Sequence, residues 1–292
     1  MNSRARIGAD AALLTSSISS CLVYRLEAIY VYPVKSLGGI TLSEACLERR
    51  SLQYDRRWML VDAQGQFVTQ REVPALARLG TALQAGQLVI FEKERPAHQI
   101  GLPLAPPEKA MQPLMVQVWG DRCWALAYPP EINAWFSNYL RVEVQLVFMP
   151  HSTLRQVDRH YAPPKTPVSF ADSFPYLLIG QASLDDLNQR LAQPVPMSRF
   201  RPNFVFSGGL PYEEDNWERF CIGEAHFLAV KPCARCTVIT TDQDTGERSA
   251  EPLKTLATYR REGHRILFGK NALWTGEGSN RVHIGMLLTK GC

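Results

Sequence analysis

No stretch of this 292-residue chain approaches the roughly 18 consecutive apolar residues that a membrane span needs, so no membrane helix is expected. Charge of one sign is also scarce. The 32 Lys and Arg against 28 Asp and Glu leave a formal net charge of +4, which gives no argument for non-specific nucleic-acid binding but leaves room for local anion pockets. The seven cysteines are odd in number and scattered, which does not read as a disulfide framework and suggests a reducing compartment. They include one Cys-x-x-Cys and no second pair, so the usual four-ligand structural zinc site is not expected. Repeats and low-complexity tracts are absent. What is present, 46% hydrophobic and 21% charged residues, makes a globular protein long enough for two ordinary domains or one large one. Residues 1–21 hold two arginines, a short Ala-Ala-Leu-Leu patch and a Ser/Thr-rich tail ending near Cys21. That is too weak for a signal peptide and reads as a disordered leader.

From Leu22 the chain is rich in short strands. Leu26 to Tyr32 is strand-like and stops at Pro33, leaving Lys35 and Ser36 on a tight loop that could hold an anion or be a solvated turn. Asp55-Arg56-Arg57-Trp58 opens a strand that turns at Gln64-Gly65 and returns through Phe67-Val68-Thr69 to Arg71. Three arginines then cluster at one hairpin's ends, as surface ion pairs or as a phosphate fork. Pro96 to Pro113 carries five prolines and reads as a long loop. Ile132, Trp135, Phe136, Tyr139 and Leu140 fall on one helical face. The polar stretch Pro150 to Pro167 reads as a linker between a 22–150 domain and a 151–292 domain. Ser183 is placed to cap a helix bearing Leu184, Leu187 and Leu191, and Pro252 to start another. The class expected is α+β and mostly β, with two barrel-like domains and a few peripheral helices.

The chemistry concentrates in Lys231 to Glu247, K-P-C-A-R-C-T-V-I-T-T-D-Q-D-T-G-E. Arginine beside cysteine favours a thiolate able to attack, exchange or bind a soft metal. A thioredoxin-like dithiol would place this motif at a helix N-terminus, whereas Thr237 to Thr241 favours a strand. One arginine-flanked thiolate remains, and the residues alone leave open what it holds.

Read in order, Tyr32-Pro33-Val34-Lys35-Ser36, Asp55-Arg56-Arg57-Trp58, Phe170-Ala171-Asp172, Phe200-Arg201-Pro202-Asn203 and Cys233-Ala234-Arg235-Cys236 with Asp242-x-Asp244-Thr245-Gly246 resemble the MOSC family of molybdenum-cofactor proteins. The resemblance is to members with an N-terminal β-barrel domain, the branch of the mitochondrial amidoxime-reducing component and its bacterial relatives, and it covers about Leu22 to Leu288. It implies molybdenum held by a pterin dithiolene and by the thiolate of Cys236, with Ala234 and Arg235 beside it and Cys233 a neighbour. Lys35, Ser36, Arg56 and Arg201 would hold the cofactor's phosphate and pterin, Asn203 would hydrogen-bond nearby, and Asp172 and Ser173 would border the metal, Asp172 positioning substrate or relaying protons. The reaction implied is reduction of N-hydroxylated compounds, including amidoximes, hydroxylamines and N-hydroxylated bases. The Cys-x4-Cys-x2-Cys spacing of a plant-type ferredoxin is missing, so electrons are expected from a separate ferredoxin-, flavodoxin- or cytochrome-type donor with its reductase. The leader lacks the membrane anchor of the mitochondrial members, which implies a cytoplasmic enzyme. A non-catalytic cofactor or sulfur carrier and a Cys233/Cys236 thiol exchanger are the rival readings.

Overall fold

The computed structural model describes residues 23–292, and the expectations made for residues 1–21 lie outside them. Seven strands form a closed ring: Tyr176–Gly180, Phe204–Ser207, Tyr24–Val31, Leu287–Lys290, Arg219–Ile222, Ala225–Ala234 and Arg265–Trp274, with the last pairing back onto the first. All neighbours are antiparallel except Tyr176–Gly180 beside Phe204–Ser207, with Leu178 opposite Phe204. The mostly β architecture expected from the sequence is what forms. The ring closes because alternate side chains fill it. Tyr24–Val31 buries Tyr24, Leu26, Ile29 and Val31 and leaves Arg25 and Glu27 outside. Inside, the Tyr176 and Phe204 rings stack with centroids 5.5 Å apart, and Phe220 and Phe227 stack at 4.9 Å.

The chain's first strand completes a barrel built otherwise from its second half. Between these parts runs a four-stranded sheet, in the order Trp58–Val61, Gln145–Phe148, Asp121–Ala127 and Gln112–Val118. A three-stranded meander, Leu79–Gln84, Gln87–Glu92 and Arg95–Pro103, adjoins it. Helix Pro130–Leu140 lies on the expected apolar face and buries Phe136 and Leu140 against a core that includes Trp58, Leu60 and Leu146. Trp58 satisfies its indole by donating to the Tyr128 hydroxyl at 2.9 Å.

Four local expectations are corrected. The proline-rich stretch 96–113 is largely strand, because Pro96, Pro103 and Pro113 lie on the outer strands of their sheets, where a missing N–H breaks no ladder. Thr237–Thr240 forms one turn of 3₁₀ helix in place of a strand. Burial of Ile239 and Thr240, and donation from the Thr240 hydroxyl to the Thr237 carbonyl, outweigh β-branched propensity. Ser183 lies within helix Gln181–Arg190, whose cap is Gly180, and gives its hydroxyl to the buried Glu214 carboxylate at 2.9 Å. The cysteines are not all free: Cys221 and Cys292 form a disulfide, because barrel closure brings adjacent strands together across 71 residues of sequence. Among the described residues no helix is long and apolar enough to cross a membrane.

Candidate active site

Alternation fixes where the site lies. Tyr176, Leu178, Ala229 and Ala272 fill the barrel, so Leu177, Lys231 and Asn271, which share neighbouring rungs, face outward. Loops from the first half of the chain cover this patch of outer wall and enclose a cavity of about 220 Å³. Every site residue predicted from the sequence lines it: Lys35, Ser36, Arg56, Asp172, Ser173, Arg201, Asn203, Ala234, Arg235 and Cys236. Thr69, Arg71, Phe174, Phe200, Lys231 and Asn271 complete much of the wall.

The loops are held in backbone conformations that ordinary residues avoid. Ser36, Arg56 and Arg201 have φ of 69°, 48° and 55°, all in the left-handed region. Such conformations cost on the order of 1–3 kcal/mol each and persist where surrounding structure enforces them. At Arg56 the enforcing is done by Asp55. Its buried carboxylate accepts from the Tyr32 backbone N–H at 2.9 Å, from the Ser51 hydroxyl at 2.6 Å and from Arg56 at 2.7 and 2.8 Å. The Arg56 backbone N–H in turn donates to the Tyr32 carbonyl at 2.8 Å. The guanidiniums of Arg56 and Arg201 each lie 4.3 Å from the Tyr32 ring centroid, a cation–π arrangement that spaces two positive charges. Asn203 joins strands, accepting from the Leu177 N–H and donating to the Tyr30 carbonyl, both at 3.2 Å.

Six basic side chains line the cavity, Lys35, Arg56, Arg71, Arg201, Lys231 and Arg235, against one carboxylate, Asp172. Burial pushes the Lys35 amine down, partly opposed by Asp172, which accepts from Lys35 Nζ at 2.5 Å. Around Asp172, loss of water pushes the carboxyl up. The Lys35 ammonium, with Arg71 and the Trp119 indole, outweighs that effect and holds it well below the usual carboxylate range. Burial pushes the Arg201 guanidinium down to about 10. Its Nη1 donates to the Leu37 carbonyl at 2.7 Å, while its buried Nη2 has no hydrogen-bond partner among the described residues.

The thiols are sorted by different arginines. Arg235 Nη1 stands 3.2 Å from Cys233 Sγ and its Nη2 donates to the Phe200 carbonyl, so the arginine inside the motif serves Cys233. Cys236 Sγ is faced instead by Arg71 Nη1 at 3.8 Å. The motif offers Arg235 for that task, but folding brings in an arginine 165 residues away. Of the three arginines grouped on one hairpin, Arg56 and Arg71 reach the cavity, while Arg57 turns away to the Met149 carbonyl. Trp119 was missed altogether. From the tip of the Gln112–Ala127 hairpin it donates to Asp172 at 3.2 Å and packs on Arg71, whose guanidinium is 4.4 Å from its ring. No sequence signal points to it beyond the Gly120-Asp121 turn that follows. The Asp242-to-Gly246 turn is a scaffold: Asp242 accepts from the backbone of Asp244 and Thr245 at 3.0 Å and from Arg199 at 2.7 Å.

The donor set fits a bound molybdenum pterin. An unpartnered buried guanidinium donor costs about 1–3 kcal/mol until a ligand accepts from it, the surplus of positive charge suits a phosphate, and a thiol on the wall suits a soft metal.

Comparison with known proteins agrees. Residues 23–143 match the MOSC N-terminal beta barrel domain and residues 165–286 match the MOSC domain. Mitochondrial amidoxime-reducing component 1 of Mus musculus is 34% identical over 254 residues, covering 83% of this chain and 74% of the relative. The chain belongs to the MOSC family. The Homo sapiens mitochondrial amidoxime-reducing component 1 is 33% identical, with 84% of this chain and 75% of the relative covered. The molybdenum cofactor sulfurase of Oryza sativa subsp. japonica is 37% identical over 91% of this chain, which spans only 35% of that relative's length.

Proposed function

We propose that this MOSC protein is a molybdenum-cofactor oxidoreductase that reduces N-hydroxylated compounds with electrons from a separate redox protein. One observation carries the reading: Cys236, a cationic wall and the Lys35–Asp172 pair converge on a single cavity. Arg201, Arg56, Lys35 and Ser36 would hold the phosphate and pterin, Asn203 would fix the loops behind them, and Ala234 and Arg235 would flank the Cys236 ligand. When bound, the cofactor would supply the two electrons that cleave an N–O bond, so an amidoxime, two electrons and two protons give an amidine and water. The chain's own residues govern the proton side. Asp172, ionised at neutral pH, accepts a hydrogen bond from an N-hydroxyl, and the adjacent Lys35 ammonium fixes the carboxylate and keeps its charge. Trp119 and Arg71 cover the approach. We place the domain boundary in 150–167; the first matched segment ends at residue 143 and the second begins at 165.

A cofactor or sulfur carrier is the second reading, favoured by the sulfurase likeness and by Arg235 lying on a second cavity thiol, Cys233. Purified protein from a host competent in cofactor synthesis is first analysed for molybdenum; a metal-free preparation sinks the central reading. Turnover of benzamidoxime with a chemical reductant is expected. Retained molybdenum without turnover of several N-hydroxylated substrates would assign the protein to the carrier.

A further inference from the structure

A second cluster of metal-ligating side chains lies on the barrel, away from the cavity. A tight hairpin, with Ile222 opposite Ala225 and Gly223 at φ 55°, joins strands Arg219–Ile222 and Ala225–Ala234 and sets Cys221 directly across from His226. Strand Leu287–Lys290 pairs on the other side, with Thr289 opposite Cys221, and so carries Cys292 to the same spot. One ligand atom from each of Cys221, His226 and Cys292 lies within 4.8 Å of the other two. His226 Nδ1 is 3.4 Å from Cys221 Sγ, close to the separation of a sulfur and an imidazole nitrogen on one tetrahedral ion with bonds of about 2.3 and 2.0 Å. Cys221 is buried, His226 half-buried and Cys292 exposed, so a fourth position would open to water. The Cys-x4-His spacing belongs to no Cys-x-x-Cys pair, which is why counting such pairs passes over it.

We propose that Cys221, His226 and Cys292 form a site for a zinc-class divalent cation in the reduced protein, and that the Cys221–Cys292 disulfide is the metal-free oxidised form of the same site. Reduction by a dithiol adds two electrons and two protons to the disulfide and gives two thiols. Zinc displaces both thiol protons on binding. Peroxide reverses the change: two zinc-bound thiolates, one hydrogen peroxide and two protons give the disulfide, two waters and the released cation. In both forms the cross-link secures strand Leu287–Lys290, which meets Tyr24–Val31 over only two residue pairs, Tyr24 with Leu288 and Arg25 with Leu287.

The test uses the full chain carrying Cys233→Ser and Cys236→Ser, so that the cavity thiols bind no zinc. After phosphine reduction, equilibration with zinc chloride and desalting, about one zinc per chain is expected. Peroxide treatment should release it, and cobalt in its place should show thiolate-to-metal charge-transfer absorption. Adding Cys292→Ser should abolish retention, and adding His226→Ala should weaken zinc binding about tenfold. Equal zinc in the reduced and pre-oxidised protein, or cobalt without thiolate charge transfer, would overturn the proposal. The reduced-versus-oxidised comparison needs no further substitution, so it stands even if either added variant folds poorly.

Discussion

Arg57 and Arg201 are two desolvated arginines with opposite outcomes. Burial pushes both guanidiniums down to about 10. Arg57 is spent on its own protein: it donates to the Met149 carbonyl, lies 3.7 Å from Glu48 and covers the Phe148 ring at 5.1 Å. Arg201 keeps one donor unpartnered beside a cavity lined by five other cations. Burial therefore does not identify a binding arginine. An unmet donor on a cavity wall does, because the folded protein carries a cost that only a ligand removes.

The most severe test of this contrast is Cys236→Ser. Molybdenum content should fall to the level of a cofactor-free host and turnover should vanish, whereas a variant that retains metal would mean that the cavity's cations serve another ligand. Next in size, Arg57→Met should lower unfolding free energy in urea by about 1–3 kcal/mol through the lost bonds to Met149, with cofactor content per folded chain unchanged. Arg201→Met should do the reverse. Cofactor content should drop about tenfold, worth about 1.4 kcal/mol, while the melting temperature of the cofactor-free protein stays level or rises because an under-paired buried charge is gone. A fall in stability matching that of Arg57→Met would erase the distinction.

A smaller effect concerns acid. Because the Asp172 carboxyl titrates below its ordinary value of about 4, its pairing with Lys35 contributes fully above that pH and is lost as pH falls through the depressed value. The stability difference between wild type and Asp172→Asn should be constant from pH 7 to about 5 and shrink below about 4, as followed by thermal melts across pH. A difference that shrinks already near pH 6 would show that Lys35 does not hold the carboxylate. The least effect is expected of Cys233→Ser, which should keep most of its benzamidoxime turnover. Complete loss would restore the dithiol reading.

Much of the site was legible because its residues sit in short motifs at strand ends, where a proline, a left-handed residue or a turn fixes the local backbone. Tyr32 to Ser36, Asp55 with Arg56, and Arg201 to Asn203 can be read that way, and from them Lys35, Ser36, Arg56, Arg201 and Asn203 line one cavity. Trp119 and Asn271 carry no such mark, since each belongs to an ordinary turn or strand and gains its place only through packing between distant segments. The strand expected over Thr237 to Thr241 failed for the same reason: local propensity lost to the burial of Ile239.

By itself, then, the sequence determined the mostly β class, the barrel strands through their alternation, and the polar and thiol groups that converge on the cavity, because these follow from local periodicity and local backbone limits. Tertiary structure decided the pairings. Closure of the seven-stranded ring joined the first strand to the last, put Arg71 and not Arg235 on Cys236, and brought Cys221 and His226 to Cys292. Those contacts depend on register and shear summed around the whole barrel, which no short stretch of the chain encodes.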